Sequence, residues 1–413
     1  MKRILINIAL LFPVALLLSC GGGGGTFTTG DPARAGFDAA RLQRVDSLMA
    51  KYTREGLMPC VVSFVARRGQ VVHHAAYGFK DAEAGVPAAV TDIYREASQT
   101  KAITAAVLLS LWEENYFHLD DPLKLYLPAF ANPRVRVSGS VETGDLVTRP
   151  AKRDITIRHL LCHSSGYGYG AFGEDLRVIN YPDPVETAEV VERVARTPLM
   201  HDPGENYTYG FGLDIAGHLA EVLTGKSLDV LMRERIFEPL GMNDTHFYLP
   251  ADKRDRLVKM YRRDTDSTRC YPEPDVLEQT YPLATNQPYH GGGAGLCGTI
   301  GDYAKFCQMI LDKGVFNGRR VLGRRTVELM TANHLATSRA SRQYGLGMGI
   351  IADGDYPANI MSPGTVRWGG AYKTEFLIDP KEEMIILMYV NMTTFHRPAL
   401  YNRFLASVYQ AMQ

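Results

Sequence analysis

The chain contains 413 residues, of which 46% are hydrophobic, 22% charged and 10% aromatic. This composition is typical of globular proteins and excludes the fibrous, collagen-like and disordered classes. Lys plus Arg and Asp plus Glu both number 45, so the formal net charge is zero. Because a nucleic-acid-binding protein needs a basic face, we expect no nucleic-acid partner.

The first twenty residues have the features of an export signal. Lys2 and Arg3 are followed by residues 4–18, an almost wholly apolar segment of 15 residues that is short for a bilayer span. The segment leads into Leu-Leu-Ser-Cys20 and a run of five glycines, an ending that resembles a bacterial lipobox. The resemblance implies removal of residues 1–19 and lipidation of Cys20.

A lipid on Cys20 would anchor the exported protein in the cell envelope. The outer membrane is favoured because Gly21 stands where some inner-membrane lipoproteins carry an Asp that retains them. A plain secretory signal with an incidental Cys20 is the alternative. Residues 20–35 include the glycine run and predict a flexible tether, so the folded domain is expected over residues 36–413.

Helical and strand-like patterns alternate in the first part of this domain. Residues 36–54 place apolar side chains at helical spacing among charged ones, which predicts an amphipathic helix. Residues 61–66 and 70–76 are apolar, β-branched runs joined by a short connection, which predicts a hairpin. Residues 97–114 are rich in Ala and Leu and predict a further helix.

The middle of the chain, about 118–340, alternates helical stretches with long loops, and strand-like runs return near the C-terminus. The predicted helices are residues 185–196, 212–224, 227–237, 299–313, 324–333 and 398–411. The predicted late strands are residues 346–351, 365–368, 375–378 and 384–390. This order predicts an α+β fold in which one antiparallel sheet is built from both chain ends and flanked by helices, with a helical subdomain inserted between them.

Five cysteines remain after Cys20, and they are interpreted as buried or single thiols. Their number is odd and no Cys-x-x-Cys pair occurs, which disfavours a disulfide framework or a zinc ribbon. The five are Cys60, Cys162, Cys270, Cys297 and Cys307.

Ser98 and Lys101 at the start of the 97–114 helix are the candidate nucleophile and its partner. Residues three apart share a helix face, so the Lys101 ammonium can reach Ser98 Oγ. Backbone N–H groups at a helix N-terminus also favour a developing negative charge. A serine nucleophile needs both features, and Ser98 is the only serine followed by Lys at this spacing.

Two further segments identify the family. Tyr209 follows a Pro-Gly turn at residues 203–204, and Trp368-Gly369-Gly370-Ala371 lies on a late predicted strand. In this order the segments resemble the penicillin-recognising serine hydrolases, which include class C β-lactamases, D-Ala-D-Ala peptidases and the β-lactamase-like family VIII carboxylesterases. The resemblance covers nearly all of the chain after residue 36 and implies a β-lactamase/transpeptidase-like fold.

The resemblance also implies the roles of the site residues. Ser98 is the acylated nucleophile, and Lys101 and Tyr209 share the role of base, either as a Tyr209 phenolate or as a neutral Lys101. The backbone N–H groups of Ser98 and Ala371 form the oxyanion hole. Acylation followed by attack of water gives a two-step hydrolysis that needs no cofactor.

Departures from the family pattern favour ester substrates. Trp368, Gly369 and Gly370 stand where the β-lactamases and peptidases carry Lys-Thr-Gly, so the cation and hydroxyl that hold a substrate carboxylate are missing; Trp-x-Gly is similar to the family VIII esterases. Tyr209 is followed at position 211 by Phe211, where the family has an amide. We therefore expect Trp368, Gly369 and Gly370 to line a substrate pocket for small carboxylic esters.

Two other functions compete with the esterase. A D-Ala-D-Ala carboxypeptidase or β-lactamase would need Arg367 or Lys373 to replace the missing cation, although both residues are interpreted as surface charges. A non-catalytic protein that binds cell-wall fragments is the alternative of another class.

A metal site is not expected. His159, Cys162 and His163 fall within one predicted helical turn and mimic a ligand cluster, but no second pair of ligands is nearby in the sequence.

Overall fold

The structure is a computed structural model, and part of the chain is described in it. The predicted signal, Cys20 and the first part of the tether lie outside the described residues. The described residues are 27–140, 143–169, 185–264, 267–285, 287–336, 338–355, 360–394 and 399–413. None of the helices in these ranges is long and apolar enough to cross a membrane.

A nine-stranded sheet forms the centre of the described fold. Its strands are β1 (Thr28–Thr29), β2 (Cys60–Arg67), β3 (Gln70–Asp81), β4 (Val86–Pro87), β5 (Gln343–Tyr344), β6 (Gly349–Ile350), β7 (Val366–Gly369), β8 (Glu375–Asp379) and β9 (Met384–Tyr389). Their order is β1-β3-β2-β9-β8-β7-β6-β5, with β4 paired to β3. The central pair joins the two chain ends, with Leu387 of β9 opposite Phe64 of β2. The predicted sheet from both chain ends is therefore confirmed.

Helices and small two-stranded sheets surround this sheet. The α-helices are α1 (Ala39–Leu42), α2 (Arg44–Arg54), α3 (Thr100–Glu113), α4 (Ile157–Leu161), α5 (Thr187–Ala195), α6 (Gly212–Thr224), α7 (Leu228–Met232), α8 (Glu238–Leu240), α9 (Val276–Thr280), α10 (Ile300–Leu311), α11 (Arg324–Met330) and α12 (Ala399–Tyr409). Short 3-10 helices lie at Ala97–Gln99, Leu123–Leu125, Pro128–Phe130, Ala251–Arg256, Tyr281–Leu283 and Asp353–Asp355, and Arg233–Phe237 is a π-helix. Two-stranded sheets pair Tyr94–Arg95 with Cys297–Gly298, Arg134–Ser138 with Val147–Pro150, Tyr261–Arg262 with Tyr271–Pro272, and Val315–Phe316 with Arg319–Arg320.

The sheet carries a hydrophobic core on each face. Every residue of β2 is buried, and alternate side chains point to opposite faces of a strand. Val62 and Phe64 belong to the core that contains α3, α6 and α10. Val61 and Val65 belong to the core that contains α2 and α12. The run of apolar residues that predicted this strand therefore contributes side chains to both cores.

Helix α3 lies inside the first core and sets the position of the predicted nucleophile. Its residues from Thr100 to Leu111 are all buried, as expected for a helix that is apolar all round. On the same face of the sheet, Tyr303 of α10 packs on Phe376 of β8 with ring centres 5.2 Å apart. A rigid core thus surrounds the helix whose N-terminal end presents Ser98.

The segment predicted as a tether joins the fold earlier than expected. Phe27 packs edge-on against Phe64, with ring centres 5.2 Å apart, and Thr28 N donates to Gly69 O at 3.1 Å. As a result β1 pairs with β3 in a parallel sense, whereas the other described pairs of the sheet are antiparallel. The prediction of a tether over residues 20–35 is wrong from Phe27 onward, because this aromatic side chain packs against the first core.

The strand predicted over residues 346–351 is shorter than expected. Gly347 has φ +91° and lies against α3, where a Cβ would overlap Ala105 Cβ. Leu346 N donates to Met330 O at 2.9 Å instead of to a neighbouring strand. Only Gly349–Ile350 continue as β6, because the chain first turns to pack on the helix that carries the site.

Candidate active site

Ser98 lies in a strained turn directly before α3. Ala97 has φ +48°, a region that L-residues other than Gly rarely adopt. Two hydroxyl groups hold this turn: Thr100 Oγ1 donates to Ala97 O at 2.7 Å, and Thr374 Oγ1 donates to Glu96 O at 3.0 Å. The strain is thus supported from α3 and from the C-terminal sheet, and it leaves Ser98 half-buried at the edge of a cavity.

Lys101 is fully buried beneath Ser98. Its Nζ lies 3.3 Å from Ser98 Oγ, 2.9 Å from Tyr169 Oη and 2.6 Å from Gly293 O. An ammonium group has three donors and no acceptor. These three oxygens therefore match the full donor capacity of a protonated Lys101.

A buried carboxylate supports this charge. Asp214 Oδ1 accepts from Gly293 N at 3.0 Å and from Tyr289 Oη at 3.2 Å. Burial alone would lower the pKa of Lys101, but the attraction of Tyr169, Tyr209 and Asp214 outweighs it and raises the pKa above its ordinary value. Burial raises the pKa of Asp214, and Lys101 opposes that rise. We therefore treat Lys101 as charged at neutral pH.

The glycine run at 291–293 permits this arrangement. A Cβ at Gly293 would overlap the carboxylate of Asp214, and one at Gly292 would overlap Leu213 O. The backbone can approach Lys101 and Asp214 this closely only without side chains.

Tyr209 lies on the other side of Lys101. Lys101 Nζ is 4.7 Å from the centre of the Tyr209 ring, and Tyr209 Oη is buried without a hydrogen-bond partner among the described residues. The next residue, Gly210, packs where a Cβ would overlap Tyr167 O. This close approach brings the chain after Tyr167 alongside Tyr209, and the Tyr169 and Tyr209 rings lie 5.5 Å apart.

Sequence reasoning brought together Ser98, Lys101 and Tyr209, and the structure places these three side by side. It missed Tyr169 and Asp214, which share the same cluster. Tyr169 is 68 positions from Lys101 in the chain, and no local spacing reports a contact of that range. The single available signal is the Gly-Tyr-Gly-Tyr alternation that ends at Tyr169, since such small residues permit close packing.

A cavity of about 290 Å³ opens beside Ser98. Ala371, the predicted second member of the oxyanion hole, lines this cavity together with Ser98. At the neighbouring Gly370 a Cβ would overlap Glu96 O, so the strand end packs directly on the strained turn. The aromatic residues of the remaining wall are Tyr169, Phe211, Phe247, Tyr248, Tyr281, Tyr289 and Tyr372, and Asp214 and small residues complete it.

The predicted pocket residues Trp368, Gly369 and Gly370 line a second cavity of about 520 Å³. The Trp368 ring lies 5.4 Å from the ring of Tyr209 and 5.0 Å from that of Tyr344. Trp368 therefore stands between the cluster around Lys101 and this second cavity.

The two cations considered as a carboxylate anchor have other surroundings. Arg367 Nη2 lies 3.5 Å from Glu375 Oε2, and its guanidinium lies 5.4 Å from the centre of the Tyr401 ring. Burial raises the pKa of Glu375 to about 7, while Arg367 and Lys373 oppose the rise. Arg367 is thus an ion-pair partner of Glu375 and not the solvated charge that was expected.

The cluster of His159, Cys162 and His163 does not share one helical turn. Helix α4 ends at Leu161, and His163 has φ +56°. His159 Nδ1 accepts from Thr156 N at 3.1 Å as part of the helix cap. His163 is buried and its ring lies 4.6 Å from that of Tyr209. The expectation of a shared turn is wrong because the chain reverses direction directly after α4.

Comparison with known proteins identifies the family of this chain. Residues 45–410 match the Beta-lactamase family. Protein Rv1367c of Mycobacterium tuberculosis is 31% identical over 351 residues, which cover 80% of this chain and 85% of that protein. Esterase EstB of Burkholderia gladioli is 29% identical over 384 residues, which cover 87% of this chain and 93% of that protein. The solved structure of EstCE1, a hydrolase with promiscuous acyltransferase activity, superposes with a TM-score of 0.74 at 23% identity and covers 90% of this chain and 99% of its own.

The chain belongs to the Beta-lactamase family. The predicted membership of the penicillin-recognising serine hydrolases is confirmed, and so are the β-lactamase/transpeptidase-like fold and the assignment as a serine hydrolase enzyme.

Glu375 predicts a pH dependence of stability. Its folded pKa of about 7 lies above its ordinary value of 4.5, so between these values the folded protein holds a proton that the unfolded chain has released. The free energy of unfolding therefore falls as the pH rises through this window. We expect Glu375→Gln to remove this pH dependence. Between pH 4 and pH 8, its free energy of unfolding should rise by roughly 1–3 kcal/mol relative to that of the unsubstituted protein.

Urea denaturation at pH 4, 6 and 8 checks this expectation. The matched control is Glu383→Gln at an exposed position on the β8–β9 turn, which should leave the difference between the pH values unchanged. Equal pH dependence in Glu375→Gln and the unsubstituted protein would contradict the account.

Proposed function

We propose that this serine hydrolase cleaves small carboxylic esters through a covalent acyl-enzyme on Ser98. The observation that carries the proposal is the 3.3 Å contact between Ser98 Oγ and the buried Lys101 Nζ at the edge of an aromatic cavity. An apolar cavity accommodates an acyl chain and excludes water from the reacting carbonyl. The name of its relative Esterase EstB supports the same reaction class.

We assign Tyr209 as the base that accepts the proton of Ser98. A protonated Lys101 that donates to three oxygens has no lone pair with which to accept a proton. An adjacent ammonium stabilises a phenolate, and Tyr209 Oη makes no hydrogen bond with the described part of the chain. Tyr169 Oη lies within hydrogen-bond distance of Lys101 at 2.9 Å, which gives it a positioning role.

The steps then balance as two acyl transfers. Ser98 Oγ bonds to the acyl carbon while its proton passes to the phenolate oxygen of Tyr209, and the carbonyl oxygen gains negative charge beside the backbone N–H groups of Ser98 and Ala371. The carbon–oxygen bond to the alcohol breaks, and the alcohol leaves with the proton from Tyr209. Water attacks the acyl-enzyme by the same route, releasing the acid and free Ser98.

The absence of a Lys-Thr pair on β7 supports esters over β-lactams and peptides as substrates. Trp368 and Gly369 offer no cation or hydroxyl, and Arg367 is engaged with Glu375. Phe211, which stands in place of the family's amide, lines the aromatic cavity and contributes only apolar surface. The proposal is tested against three alternative functions: a carboxypeptidase, a β-lactamase and a non-catalytic binding protein.

We further propose that the protein is exported and lipid-anchored through Cys20 in the cell envelope. The basic residues Lys2 and Arg3, the short apolar segment and the Leu-Leu-Ser-Cys20 ending support this localisation.

Parallel hydrolysis of p-nitrophenyl butyrate and nitrocefin tests the reaction class. We expect ester turnover with little nitrocefin cleavage, and Ser98→Ala should lower kcat/KM for the ester by about 10³-fold or more because the nucleophile is lost. The matched control is Ser110→Ala, which removes a buried hydroxyl from the same helix, far from the cavity, and should leave kcat/KM within about twofold.

Other outcomes would replace the proposal. Fast nitrocefin cleavage that depends on Ser98 would indicate a β-lactamase. No hydrolysis of either substrate and no adduct on Ser98 would favour a non-catalytic protein that binds cell-wall fragments.

The assignment of the base predicts different effects for the two tyrosines. Tyr209→Phe should lower kcat by about 10²–10⁴-fold, the usual range for loss of a general base. Tyr169→Phe should lower kcat by about tenfold or less, since Lys101 keeps its contacts with Ser98 and Gly293. Steady-state kinetics on p-nitrophenyl butyrate measure both, and an equal loss in the two variants, or full activity in Tyr209→Phe, would refute the assignment.

A further inference from the structure

The two cavities adjoin the same strand end, which packs on the nucleophile turn. Gly370 lines the second cavity, and the adjacent Ala371 lines the first cavity with Ser98. An ester has two halves that extend in different directions from its reacting carbon. The arrangement therefore offers one cavity for each half of a substrate bound at Ser98.

The two cavities differ in chemistry. The cavity beside Ser98 is lined by aromatic rings, small residues and Asp214, whose carboxylate is hydrogen-bonded within the Lys101 cluster. The second cavity is lined by Arg342, Arg367 and Glu375 in addition to Trp368 and Tyr344. An apolar acyl chain matches the aromatic wall. A polar or charged group matches the second cavity.

Arg342 is the cation of the second cavity that has no carboxylate partner among the described residues. Its guanidinium carbon lies 4.6 Å from the centre of the Tyr207 ring, a stacking contact that orients the guanidinium without neutralising it. Arg367, by contrast, lies 3.5 Å from the carboxylate of Glu375. The side chains of this cavity therefore carry a net positive charge that depends on Arg342.

The ring of Tyr207 packs against two other rings. Its ring lies 5.5 Å from that of Tyr344 and 5.8 Å from that of His163. His163 also contacts the ring of Tyr209 at 4.6 Å. The rings that hold Arg342 therefore continue through His163 to Tyr209, the residue proposed to return a proton to the leaving alcohol.

We propose that the second cavity binds the alcohol half of the substrate and that Arg342 holds a carboxylate on that half. The inference rests on the proposed esterase function and names its substrate class: esters of an apolar acid with an alcohol that carries a carboxylate. A guanidinium presents a planar, bidentate fork that fits this group.

A pair of matched esters tests the proposal. The substrates are the butyryl esters of 3-hydroxybenzoate and of 3-hydroxybenzamide, which share the acyl chain and differ in the charge of the alcohol half. We expect Arg342→Gln to lower kcat/KM for the carboxylate ester by about tenfold, the loss of one charge-assisted contact. The amide ester should change by less than about twofold.

Two controls separate the possible outcomes. Arg339→Gln removes the same charge from a nearby exposed residue that does not line the cavity and should change neither rate. p-Nitrophenyl hemisuccinate places the carboxylate on the acyl half, and Arg342→Gln should not slow its hydrolysis.

Equal rates for the carboxylate ester in Arg342→Gln and the unsubstituted protein would overturn the inference, and so would selective loss of hemisuccinate hydrolysis. The amide ester keeps the two proposals apart. If Ser98 fails to hydrolyse even this neutral ester, the proposed function itself is wrong.

Discussion

A buried ammonium is the constraint on which the rest of this site depends. Lys101 carries its charge inside the core at zero exposure, where an uncompensated ion would cost several kcal/mol. Three oxygens accept its three donors, and Asp214 lies on the far side of Gly293. The rings of Tyr169 and Tyr209 complete the surroundings. The groups around this charge thus include Ser98, the proposed nucleophile, and Tyr209, the proposed base.

The same constraint explains why both chain ends are needed. The nucleophile turn at Ala97 is strained, and Thr374, in the turn that precedes strand β8, holds it through Glu96 O. Strand β8 pairs with β9, and β9 pairs with β2 from the N-terminal half. The central sheet therefore connects the C-terminal wall of the cavity to the N-terminal half of the chain. A serine on an isolated helix would lack this second support and the Ala371 backbone that lines the same cavity.

Local patterns predicted the elements but only part of the site. The helix predicted over residues 212–224 coincides with α6. Its signals, apolar residues at helical spacing and the glycine that follows the last turn, both lie within this stretch of sequence. Tyr169 and Asp214 were missed because their roles arise from contacts with residues distant in the chain. Phe27 was missed because a single aromatic after a glycine run gives no periodic signal. The close approaches at Gly292 and Gly293 likewise involve residues distant in the chain, Leu213 and Asp214.

The rate at which a fluorophosphonate labels the protein tests the central claim most directly, with peptide mass mapping to locate the adduct. If the buried Lys101 ammonium organises the nucleophile, a single adduct forms on Ser98. Lys101→Met, whose fold is checked by circular dichroism, should then label at least about 10²-fold more slowly. Labelling of another residue, or an unchanged rate in folded Lys101→Met, would contradict the account.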